Sequence, residues 1–111
     1  MPNIKRASAC LALILVTAQA GAQSADSSLQ EIIANFESFS RQVDPFSAGA
    51  EGDREALRRL PDVSPAADQA NRQQLVAFDE RLAKLDARQL SGEAALNHAL
   101  LTSIVKESIE E

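Results

Sequence analysis

His98 is the one histidine in the 111-residue chain. Histidine is the side chain best suited to proton transfer or metal ligation near neutral pH. A zinc-binding helix sets a second ligand three or four residues from the first. Around His98 those positions hold Ala94, Ala95, Leu101 and Thr102, none a good ligand. His98 is therefore expected to be a satisfied or solvent-edge side chain. The 16 Asp and Glu residues could run acid–base chemistry only as a pair held in a pocket with separated pKa values. The sequence puts most of them on polar helix faces, where they serve solubility. Arg54, Arg58 and Arg59 form a local basic cluster that could contact an anion or a substrate carboxylate. Beside Glu51, Asp53 and Glu55 it reads better as a solvated face. Gly49 and Gly52 are three apart with no strand before them, so they are no phosphate-cradling loop. No G-x-S-x-G elbow occurs. The expectation is thus no catalytic, cofactor-binding or metal-ligating residue, and no enzyme activity for this chain.

The elements that would position any site are helices. Ser28-Leu29-Gln30-Glu31 has the form of a capping box, which predicts a helix over about 28–43. Leu29, Ile32, Ile33, Phe36, Phe39 and Val43 make its apolar stripe. Asp44-Pro45 ends it, because the residue before proline avoids the helical region. Ser47, Gly49, Gly52, Asp53, Pro61 and Asp62 then mark loops and turns, with one or two helical turns over 55–60. A second helix is predicted over 65–87, with Ser64 as N-cap and Pro65 at the first helical position. Leu75, Phe78, Leu82 and Leu85 form its stripe, and Glu80 and Lys84 a supporting pair. A third helix starts at Ser91, with Leu96, Leu100, Leu101, Ile104, Val105 and Ile109 as its apolar face. The short connection before it implies antiparallel packing on the second. The expected fold is all-α: about three amphipathic helices, largely antiparallel, after a cleavable signal peptide.

The chain opens like an export signal. Lys5 and Arg6 supply positive charge, and residues 7–18 are uncharged and apolar at their centre. Ala20, Gly21 and Ala22 are the small residues a signal peptidase reads, so cleavage before Gln23 is expected, with cleavage after Ala20 as the alternative. The apolar run is too short to span a bilayer, which takes about 20 residues. Cys10 precedes the apolar core instead of ending it, which argues against a lipid anchor. Residues 1–22 are thus read as signal, 23–27 as a short flexible segment and 28–111 as one helical segment. The product is expected in the periplasm or outside the cell.

Without the signal the chain has no cysteine, hence no disulfide or thiolate site. Only Lys5 and Arg6 leave with it, so the remainder is more acidic than the net −5 of the whole. Such a chain repels phosphate backbones and anionic lipid. With no Trp or Tyr and only four Phe, marginal stability in isolation is expected. Glu107, Glu110 and Glu111 crowd the negative pole of the last helix, and no Gly or Asn cap follows. A helix written this way normally continues, so Glu111 reads as a cut.

Asp44-Pro45-Phe46-Ser47-Ala48, Gly52-Asp53 and Leu60-Pro61-Asp62-Val63-Ser64-Pro65 carry a resemblance, as do Leu82-Ala83-Lys84-Leu85-Asp86, Leu90-Ser91 and Leu96-Asn97-His98-Ala99-Leu100-Leu101. As an ordered set, they resemble the amino-terminal region of the bacterial domain-of-unknown-function 885 family. The resemblance runs over roughly residues 29–111. It implies membership of a group of longer, exported, mainly helical proteins that are similar to zinc metallopeptidases. In those, H-E-x-x-H lies far downstream. No H-E-x-x-H occurs here, so zinc belongs only to the longer members and no catalytic residue transfers. The implied role is a truncated amino-terminal scaffold fragment without activity of its own, whose partner is the missing catalytic body. The alternative is a stand-alone periplasmic helical module that binds another protein through its apolar faces.

Overall fold

A computed structural model describes the backbone of residues 7–111 and the side chains of residue 21 and residues 24–111. The fold is all-α, with no strand among the described residues. Helix α1 spans Ala7–Val43, α2 Pro45–Ala50, α3 Pro65–Ala83 and α4 Gly92–Glu110, with single 3-10 turns at Ala56–Arg58 and Ala87–Gln89. Lys5 and Arg6 of the expected export signal lie outside the described residues, as do the side chains of Cys10, Ala20, Ala22 and Gln23.

Three expectations are corrected in α1 and α2. The capping box does not start α1. Ser28 lies inside the helix, and its hydroxyl donates to the Ser24 carbonyl at 3.0 Å, the back-bond of a mid-helix serine. Residues 23–27, expected to be flexible, are helical too. No Gly or Pro interrupts them, and Ala25 is buried in line with Leu29 and Ile32, so the apolar stripe begins a turn earlier. Asp44-Pro45 both ends α1 and starts α2, a helix where only loop was expected. The Asp44 carboxylate accepts from the Ser47 N–H at 3.0 Å, and Pro45 takes the first turn.

Helix α2 closes in a Schellman motif. The Gly52 N–H donates to the Gly49 carbonyl, the Asp53 N–H donates to the Ala48 carbonyl, and Gly52 has φ of 109°. Asp53 then caps the 3-10 turn, accepting from the backbone N–H of Glu55 and Ala56. Leu57 from that turn lies so close over Gly49 that a Cβ there would overlap it.

Ser64 caps α3 as expected, accepting from the Ala67 N–H at 3.2 Å. The helix stops at Ala83, four residues short of the prediction. Asp86 takes the backbone N–H of Arg88 and starts a 3-10 turn instead. The ion pairs among the described residues are Arg58–Glu55, Arg81–Glu31 and Arg88–Asp86, so the Glu80–Lys84 support is not formed. Ser91 occupies the N-cap of α4, but its side chain makes no capping bond.

The core lies where α1, α3 and α4 meet. Leu29 and Ile32, Phe78 and Leu82, and Ala94, Leu101 and Val105 form one buried cluster. Ile33, Phe36, Phe39, Leu85, Leu90 and Ile109 close around it. Phe36 meets Phe78 edge to face at 5.4 Å, and Phe39 lies 5.7 Å from Phe78. Complete burial of a leucine side chain stabilises by about 1.5–3 kcal/mol, so Leu29 and Leu82 are main anchors.

Candidate functional site

His98 and most of the aspartates are occupied by structure. His98 is half-buried on α4, and its Nε2 lies 2.8 Å from the Leu82 carbonyl near the end of α3. A carbonyl only accepts, so Nε2 carries the proton and donates. The ring is a tie between two helices. Its neighbours on the helix offer no ligand, and no group of three or more His, Cys, Asp or Glu is placed to hold a metal among the described residues. Among the described residues, His98 thus stands without the ligand partners that a zinc site needs.

Five of the seven aspartates accept backbone N–H groups. Asp44, Asp53 and Asp86 start helical turns, and Asp62 accepts from the Ser64 N–H at 2.9 Å. Asp26 of α1 accepts from the Ser91 N–H at 3.0 Å, across the interface to α4. Hydrogen bonds to the ionised form hold three of these carboxyls below their ordinary range. The Ser47 hydroxyl does most at Asp44, the Ser64 N–H at Asp62 and the Arg88 guanidinium at Asp86. Arg88 is raised in return. None is an acid–base pair in a pocket. In the basic cluster, Arg58 is spent on Glu55 at 3.2 Å, with both side chains exposed. Arg54 and Arg59 are exposed as well, which matches a solvated face.

Two surface features stand out on the three long helices. The first is a groove of about 720 Å³ between α1 and α3, lined by Asn35, Ser38, Gln42, Asn71 and Gln74 over Phe39 and Phe78. Arg81 closes one end. Its guanidinium stands 5.8 Å over the Phe78 ring. With the Asn35 amide turned to satisfy both groups, its oxygen accepts from Arg81 at 3.1 and 3.2 Å. The sequence signal for this groove is the helical spacing of Asn35, Ser38 and Gln42, and of Asn71 and Gln74.

The second feature is on α4. Its apolar residues, expected to form one core face, divide into two. Leu101 and Val105 are buried, whereas Leu96, Leu100 and Ile104 are 60 %, 54 % and 48 % exposed. The apolar residues cover more of the helix than the α1–α3 pair can bury. Three large side chains, one turn apart, are left facing solvent.

No family model, curated protein or solved structure matches this chain. Its described surface offers caps, ties and an open apolar stripe. No helix of the described residues is long and apolar enough to cross a membrane.

Proposed function

We propose that the chain is an exported, non-catalytic helical scaffold: the amino-terminal segment of a zinc-metallopeptidase-like protein, set to pack beside that protein's catalytic body. The observation that carries this reading is the open stripe of Leu96, Leu100 and Ile104 on a helix whose other face is sealed. A regular apolar patch left in solvent marks an interaction site. The ordered motifs between Asp44 and Leu101 support the family. Antiparallel packing of α3 and α4 is supported by two contacts, Arg72 with Ile109 and Leu82 with His98. Export to the periplasm or beyond is supported by Lys5, Arg6 and the apolar run, with cleavage before Gln23.

Sequencing the gene downstream of the Glu111 codon in all three frames tests the reading. A frame that continues α4 and later encodes H-E-x-x-H supports it. Without such a frame it fails. The second reading is then a stand-alone periplasmic module that binds another protein, which the same stripe favours. A polarity-sensitive dye that finds no apolar surface on the purified chain would sink that one.

A further inference from the structure

We propose that the outer face of α4 docks an amphipathic partner helix whose apolar stripe is flanked by lysine or arginine. Glu93, Leu96, Leu100, Ile104, Glu107 and Glu111 follow one another at steps of three or four residues. That spacing puts all six on one helical face. It flanks the face of Ala94, Leu101 and Val105, which enter the core, by about a third of a turn, and all six residues are exposed. The result is an apolar patch bounded by acids at both ends. Among the described residues, none of these three glutamates forms an ion pair. Arg72 reaches the last turn of α4 from the α3 side and leaves Glu107 and Glu111 unpaired on the outer side.

These charges select the occupant. Helix-on-helix docking draws affinity from apolar anchors one turn apart. Flanking charges decide which helix is accepted. A second copy is a poor fit. Antiparallel pairing centred on Leu100 sets Glu93 against Glu107, and parallel pairing sets each glutamate against itself. Like charges are opposed either way. An anionic lipid surface is repelled for the same reason. A helix with leucines in the centre and basic residues at its ends meets both halves of the pattern.

The inference rests on the reading that the chain works by docking, and one experiment separates the two. Two labelled synthetic helices are titrated against the full chain by fluorescence anisotropy. Both carry three leucines one turn apart; one has lysine flanks and its twin has glutamate flanks. The lysine peptide should bind at least about tenfold more tightly. Leu100→Gln should weaken it by about tenfold. The Glu93→Lys/Glu107→Lys variant should reverse the preference. The Glu37→Lys/Glu80→Lys variant, equal in charge but off the stripe, should leave it unchanged. Melting curves check that each variant folds, and the charge variants decide the matter if Leu100→Gln does not.

Equal binding of the two peptides overturns the proposal, and so does an equal response to the off-stripe variant. A chain dimer that Leu100→Gln dissolves in sedimentation overturns it in favour of self-pairing. If a polarity-sensitive dye binds the wild type and is lost with Leu100→Gln, yet neither peptide binds, docking stands and the basic partner falls. If neither dye nor peptide binds, both readings fall.

Discussion

The Arg72 guanidinium on α3 donates to the Ile109 carbonyl in the last turn of α4. At the other end of α4, the Asp26 carboxylate on α1 accepts from the Ser91 N–H. The helix is therefore capped at both ends by its neighbours. The first turn of a helix needs acceptors and tolerates negative charge, while the last turn needs donors and positive charge. Ser91 makes no side-chain cap, and the last turn has no basic residue of its own. Asp26 and Arg72 supply what is missing. The negative pole of α4, which the sequence leaves unanswered, is answered from α3.

Removing either group should loosen α4 at one end. Asp26→Ala and Arg72→Met should each cost about 1 kcal/mol, with Arg72→Lys closer to wild type. Amide exchange should quicken in the first turn for the Asp26 variant and in the last turn for the Arg72 variant. Uniform quickening along α4 would contradict separate capping roles.

Gly52 is held at φ of 109° by the Schellman closure of α2. A Cβ at this position meets nothing within 4 Å, so its cost is purely one of backbone conformation. Gly52→Ala should destabilise by about 1–2 kcal/mol, and Gly52→Asn by less, since asparagine tolerates this region. Thermal melting decides it. An alanine variant as stable as wild type would mean that the turn does not need a left-handed residue.

Acid should weaken the fold through its caps. Asp44, Asp62 and Asp86 titrate below the ordinary value of 3.8 in the folded chain, through bonds from Ser47, Ser64 and Arg88 respectively. A carboxyl with a depressed folded pKa stabilises fully above its unfolded pKa. That stabilisation is lost as the pH falls through the folded value. The urea midpoint should hold from about pH 7 to about pH 5 and drop below about pH 4. An Asp44→Asn/Asp62→Asn/Asp86→Asn variant should start lower at neutral pH and lose less in acid. Salt should reduce the Asp86 part most, because its partner is an arginine at the surface.

Local signals in the sequence match local structure. Ser64-Pro65 starts α3, and Phe78 and Leu82 fall in the core, because both features are complete within a few residues. Helix α2 escapes notice because it is six residues long and because Pro45 and Gly49 resemble breakers. Pro45 is in fact a helix start, and Gly49 makes room for Leu57. The two faces of α4 cannot be told apart by period alone. Leu100 and Leu101 are adjacent, yet one is open and the other buried. Packing against α1 and α3 makes that choice. The caps on α4 are illegible for a similar reason: Asp26 is 65 residues from Ser91, and Arg72 is 37 from Ile109. Of the candidate chemistry, the isolation of His98 is written in its neighbours, but its bond to Leu82 is not.

Ser28 gives the sharpest contrast between sequence pattern and fold. As the N-cap of a helix beginning there, it would satisfy a free amide, and alanine would cost about 1 kcal/mol. In the structure its hydroxyl is turned back to the Ser24 carbonyl within a continuous helix. Serine is a poorer interior residue than alanine by a few tenths of a kcal/mol, because its hydroxyl competes for backbone bonds. Ser28→Ala should therefore leave the melting temperature unchanged or raise it slightly. Ser27→Pro should lower it if the helix runs through residues 24–28, since a proline there removes an i to i−4 bond and breaks the turn ahead of Ser28. A cap at Ser28 would leave Ser27 outside the helix and make that proline harmless. The pair of melting temperatures thus locates the working start of α1. Loss of stability in Ser28→Ala together with a tolerated Ser27→Pro would restore the capping box and detach residues 24–27 from the fold.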